Sequence, residues 1–299
     1  MALDTSIGNG VATLVEDDRL SAELSGLDNL NVPLPASPSR AARTWSAAWP
    51  KLAAALLFFG IWQGVVWAGL KPTYVLPGPW PLLGRFFTDV GNAKLLHATV
   101  TTMSRAGIGF ALSVVIGLAL GLAVARNRIL RAAVGSMITG LQTMPTIAWL
   151  PFAVLLFKIS ETAILFVVVL GAAPAIANGV IAGVDHIPPV LLRAGRVLGA
   201  RGVSAYRHVI LPAAFPGLVA GLKQGWAFAW RSLMAGELIV IVAYKPSLGV
   251  KLQLARDVND ATGLLAAMLA IFVIGITVDS LVFGRLERAV LRRWGLGGR

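Results

Sequence analysis

Charged residues are absent from four long stretches of this chain, 52–70, 106–125, 132–157 and 162–184. Each comes close to or exceeds the roughly 20 residues that cross about 30 Å of hydrocarbon as a helix. A fifth apolar run, 261–278, is slightly shorter and ends at Asp279. A sixth, 209–243, is long enough but is interrupted by Lys223, Arg231 and Glu237. The pattern predicts an all-α, polytopic membrane protein with six transmembrane helices.

Within the third run, LQTMPTIAWLPFAVLLF, Pro145 and Pro151 each remove a helix hydrogen bond, so a kinked or broken span is expected. Carbonyls freed at membrane depth must face protein or a water-filled cavity. In the sixth run, 209–243, a helical wheel places Lys223, Trp230, Met234 and Glu237 within about 60°, with Arg231 at the edge of that arc. Gly217, Gly221, Gly225 and Ala229 fall opposite, a face small enough for close helix packing. Ionisable groups in a span usually face a bundle interior or an aqueous path. Pro145, Pro151, Lys223, Trp226, Trp230, Arg231 and Glu237 are therefore the candidate path residues. A structural reading stands beside that one: Lys223 snorkels from the span end, and Arg231 pairs with Glu237.

Composition agrees with a membrane protein. Of 299 residues 57% are hydrophobic and 13% charged, against about 25% charged in a soluble domain. The net charge of +12 is an orientation signal. With the N-terminus in the cytoplasm, the basic clusters Arg126–Arg131, Arg193–Arg207 and Arg285–Arg299 all fall inside. Fewer bases (Lys71, Arg85, Lys94, Lys158, Lys245, Lys251, Arg256) then fall outside, and both termini are cytoplasmic. A nucleic-acid partner is a poor explanation of such a charge. The absence of cysteine excludes disulfides and thiolate chemistry, and the three histidines form no metal motif. Residues 1–45 carry Asp4, Glu16, Asp17, Asp18, Glu23 and Asp28 and read as a polar, disordered cytoplasmic tail. The transmembrane domain then covers 46–299.

One segment between the runs at 162–184 and 209–243, covering 185–212, is basic and contains RAGRVLGARGVSAYRHVILP. Pro188 and Pro189 open it, helix formers follow to Leu198, and Gly199 closes a first helix. GVSAYRHV then forms a second short helix or turn before Leu211-Pro212. A simple positive-inside anchor would need less structure than this helix–Gly–helix pattern.

This segment resembles the cytoplasmic signature of ABC importer permeases: EAA, three residues, Gly, nine residues, Ile, one residue, Leu-Pro. RAG occupies 193–195, Gly199 follows after three residues, Val209 after nine more, and Leu211-Pro212 closes the pattern. Arg193 replaces the signature's acid and Gly195 its second alanine. TTMSRAGIGFALSVVIGLALGLAVARNRILR, the Pro145–Ala148–Pro151 spacing and AFAWRSLMAGELI are similar to the sulfonate, taurine, nitrate and bicarbonate branch. The resemblance implies a type I importer fold and a multi-pass subunit of the bacterial cytoplasmic membrane. It implies a second permease copy, homodimeric or a sister chain, two ATPase subunits and an extracytoplasmic binding protein. Coupling to the ATPase is implied for Arg193, Ala194, Gly195, Leu198, Gly199, Ala200, Val203, Ala205, Tyr206, Leu211 and Pro212. No GxxxxGK[ST] loop occurs, so ATP and Mg are expected on the partner ATPase and the chain itself is not an enzyme. The implied cargo is a small anion; a neutral or aromatic nutrient such as a vitamin-precursor pyrimidine, or an ATP-independent secondary transporter, are the alternatives.

Overall fold

A computed structural model describes residues 40–293, with the side chains of 40–44 and 47 left aside. The polar tail expected over 1–45 lies outside the described residues up to position 39, and helix α1, Arg40–Trp67, takes in the remainder. The chain divides into two units within α1, after Trp62. In the first, Phe58, Phe59 and Trp62 form a mutual aromatic contact with centroids 5.6–6.2 Å apart.

The second unit is built from α2 (Pro79–Val90), α3 (Ala93–Arg126), α4 (Arg128–Thr143), a 3₁₀ turn (Thr146–Trp149) and α5 (Leu150–Phe157). It continues through α6 (Glu161–Asp185), α7 (Pro189–Val197) and α8 (Leu211–Ile239). Then follow α9 (Leu248–Asp257), α10 (Ala261–Val278) and α11 (Gly284–Arg293). A helical turn, Val203–Ala205, and a π-helical stretch, Tyr206–Ile210, run into α8, and a second π-helical stretch, Asp279–Phe283, joins α10 to α11. No strand occurs among the described residues. Side-chain caps set several boundaries: Asn127 accepts from the amides of Ile129 and Leu130 at the start of α4. Ser160, Ser247 and Asp260 cap α6, α9 and α10 in the same way.

Four helices are long and apolar enough to cross a membrane, and a fifth span results if the bent α4–α5 pair counts as one. The third apolar run is thus broken, as its prolines predict, with a 100° bend between its halves. Only Pro145 marks the break, where Met144 is extended. Pro151 sits in the first turn of α5, where its missing N–H leaves no helix bond unmade. α8 has 29 residues, about 43 Å of helix, but is not among the helices apolar enough to count as spans.

α6 is the axis of this unit, packed between α3 and α8, and Ile164, Val167, Val168 and Ile176 are wholly buried on it. The predicted small face of α8 lies here. Gly221 meets Gly179 backbone to backbone, and Gly217 meets Gly183, so no side chain fits between the helices. On the other side, a Cβ on Gly121 of α3 would come within 2.7 Å of Val180. Pro174 and Pro216 lie inside α6 and α8 without ending either helix.

Candidate coupling segment and path face

The helix–Gly–helix expectation holds. α7 begins with Pro189, and its end is closed by Gly199 at φ +83°. The amide of Ala200 donates to the carbonyl of Gly195 at 2.9 Å, and that of Gly199 to Arg196 at 3.1 Å. This is a Schellman closure, which needs a left-handed residue at the Gly199 position. Gly202, at φ +53°, then redirects the chain into the Val203 turn.

The departure at Gly195 has a packing reason. The residue is buried, and a Cβ there would stand 2.8 Å from Val209 Cγ2. The two arms of the segment therefore touch through Gly195 and Val209, two of the signature positions. Arg193 is exposed with Ala194, Arg196, Arg201 and Arg207. Val197, Leu198 and Val203 are 84–87% exposed, a set of apolar tips in a segment that also exposes four arginines. Tyr206 differs: it is half-buried, with the Arg126 guanidinium 5.4 Å above its ring. With the Arg131–Asp185 ion pair at 2.8 Å, this contact holds the loop between α3 and α4 against the segment's end of the bundle. Ala200 and Ala205 are half-buried, while Leu211 and Pro212 are exposed at the start of α8.

The path candidates separate. The charged and aromatic face predicted for α8 is closed by protein. Glu237 is wholly buried, and the expected Arg231–Glu237 pair is replaced by an Arg105–Glu237 pair at 2.8 Å. Lys223 pairs with Glu287 of α11 at 2.7 Å, so it is anchored rather than snorkelling free. Trp226 is buried against Phe110, Phe283 and Trp230, and Trp230 packs on Gly275. Pro145 is exposed at the bend, and Pro151 is exposed two residues beyond the 3₁₀ stretch.

Arg231 turns elsewhere. From 213 to 238 the exposed residues of α8 are Ala220, Gln224, Ala227 and Arg231, which fall within about 60° of one another. The Arg231 guanidinium lies 4.5 Å over the Phe228 ring and its Nε donates to the Ala227 carbonyl at 3.0 Å. A cavity of about 960 Å³ runs from Leu198, Ala194 and His186 to Asn178, Ala220 and Gln224, joining this stripe to the coupling segment.

At the other end of the bundle, sequence reasoning missed a cluster around Glu237. Thr102 Oγ1 donates to this carboxylate at 2.9 Å and accepts the Leu248 amide at 3.0 Å, while the Gly249 amide donates to Glu237 at 3.1 Å. Arg105 also forks onto Glu161 at 2.6 and 2.7 Å, and Lys245 approaches Glu161 at 3.3 Å. Five segments, α3, α6, α8, the loop before α9 and α9 itself, meet on two carboxylates. The signals were present as charges bordering apolar runs, Arg105 before 106–125 and Glu161 before 162–184. What pairs with what, across 132 positions, is a property of the fold.

A helical membrane bundle with a basic, glycine-broken segment at one end and an open groove leading from it defines a transport permease. The chain belongs to the family described as binding-protein-dependent transport system inner membrane component, which matches residues 113–292. It is 28% identical over 224 residues to the taurine transport system permease protein TauC of Escherichia coli (strain K12), covering 73% of this chain and 80% of that one. To the bicarbonate transport system permease protein CmpB of Synechococcus elongatus it is 28% identical over 255 residues, 81% of this chain and 88% of the relative. The structure titled "Inward facing conformations of the MetNI methionine ABC transporter" shares its fold, with TM-score 0.57 and 23% identity over 66% of this chain and 96% of that one.

Proposed function

We propose that this chain is the transmembrane permease of an ATP-driven importer in the bacterial cytoplasmic membrane. Two copies form the path, and separate ATPase subunits and an extracytoplasmic binding protein complete the complex. α8 serves as the sixth span, and both termini lie in the cytoplasm. The cargo class is a small anion, in keeping with the taurine and bicarbonate named for its relatives. The observation that carries the reading is the Schellman-closed segment at 189–210, which presents exposed Leu198 and Val203 on a rigid turn. Such a turn fits a cleft on an ATPase surface, where the apolar tips pack and the surrounding arginines steer encounter.

Mechanism follows from attachment. The segment leaves α6 at Asp185 and enters α8 at Leu211, and those two helices touch without intervening side chains at Gly183 and Gly217. Displacement of the segment on ATP binding is therefore passed to both helices together rather than absorbed by soft packing. Residues of the segment carry the coupling: Arg193 to Ala200 on the first arm, Val203, Ala205 and Tyr206 on the second, and Leu211-Pro212 at the junction with α8. The test is purification of the whole complex with Gly199→Asp or Leu198→Asp in the permease. Both are expected to lower ATPase retention and transport by about tenfold or more, a loss of about 1.4 kcal/mol in docking. Retention of both at the unsubstituted level overturns the reading.

A further inference from the structure

Resting on the permease reading, we infer that Arg231 and Gln224 form an anion waypoint on the open face of α8, and that Arg231 selects cargo by charge. The other charges of α8 are neutralised within the chain: Glu237 by Arg105, and Lys223 by Glu287. Among the described residues, Arg231 alone of the charged residues of α8 has no partner of opposite charge. Its contacts are a carbonyl of its own helix and an aromatic face, which leave most of its five N–H donors unused.

An unpaired guanidinium in a spanning helix is stable only where water or a mobile anion reaches it. The residues around it fit that setting. A face turned to lipid would carry large apolar side chains, as Leu155 and Phe272 do elsewhere, at 80% and 62% exposure. The α8 stripe instead offers Ala220, Gln224 and Ala227, small groups that leave room beside one amide and one guanidinium. Gln224 stands seven residues from Arg231, about 10 Å along the helix, and also lines the cavity that opens beside the coupling segment. An anion released from Arg231 thus meets the Gln224 and Asn178 amides before the end where His186 stands. Arg231 binds a planar or tetrahedral oxyanion through its fork, whereas a cation on this route must pass an uncompensated positive charge.

The chain has no cysteine, so single thiols report this face directly. Gln224→Cys and Ala227→Cys are placed in the complete complex, with residue 231 as Arg, Gln or Lys. Each is treated with an anionic probe, methanethiosulfonate ethylsulfonate, and a cationic one, its ethyltrimethylammonium analogue. Rates are divided by those of each reagent with a free thiol in solution. The sulfonate is expected to be favoured by about tenfold with Arg231 or Arg231→Lys, and to lose that preference with Arg231→Gln, as a unit charge a few ångströms away requires. Thiols that react with neither probe place the stripe against lipid or protein and overturn the inference. Equal preference whatever residue stands at 231 overturns the charge selection. Retention of the ATPase in the same preparations is scored separately, so failure of the permease reading shows as its loss while the thiol pattern is still read.

Discussion

At the scale of single residues, Glu237 governs more contacts than its isolated position in an apolar run suggests. Its carboxylate accepts from Thr102, Arg105 and the Gly249 amide, and it is fully enclosed. Glu237→Ala leaves three buried donors short of an acceptor, and a loss of about 3 kcal/mol in stability is expected. Glu237→Gln keeps one carbonyl acceptor and should cost less; tryptophan fluorescence during thermal unfolding in detergent orders the two. Gly249 is constrained by the same group, because a Cβ there would meet the backbone of Glu237 at 2.9 Å. The cost of burying Glu237 fully and Glu161 in part is offset only because every partner is in place, and that completeness fixes the register of α9 against α3 and α8.

At the scale of elements, close packing and turn geometry make separable predictions. Gly221→Val places side-chain atoms against the backbone of Gly179, and overpacking of this kind costs about 1–3 kcal/mol. Gly199→Ala leaves that packing untouched but forces a Cβ into a left-handed position, at about 1–2 kcal/mol. The first variant should lower the midpoint of thermal unfolding of the permease alone. The second should act on ATPase retention at comparable temperature stability of α6 and α8, read by protease protection of the helices. Most of this level was legible in the sequence. Glycines four apart marked a close-packing face on α8, though not its partner α6; Gly199 marked the break between two short helices, and Pro145 marked the bend. The orientation of α8 was not, because a wheel gives relative angles and cannot say which side meets protein. Lys223 and Glu237 looked like an open polar face until Glu287 and Arg105, far off in sequence, proved to be their partners. Arg231, at the edge of that arc, is the residue left facing outward.

For the whole molecule, the two ends of the bundle differ in kind. One end collects Arg126, Arg131, Tyr206 and the coupling segment; the other collects Arg105, Glu161, Glu237 and Lys245. In a cell membrane, Lys245→Cys should be labelled by an impermeant maleimide from outside, and Arg201→Cys only after the membrane is opened. Labelling of both from one side would leave α8 short of spanning. The π-helical stretch at Tyr206–Ile210 has a further consequence for this directional molecule. A π turn holds one residue more than an α turn, so a single deletion there would restore α geometry. Five residues at the smaller angle of a wide turn advance the chain about as far as four at 100°, so the coupling turn would keep nearly the same direction about the axis of α8. Chains that differ by one residue at this point would present their docking tips in nearly the same direction, so length can vary here without changing which motor a permease accepts.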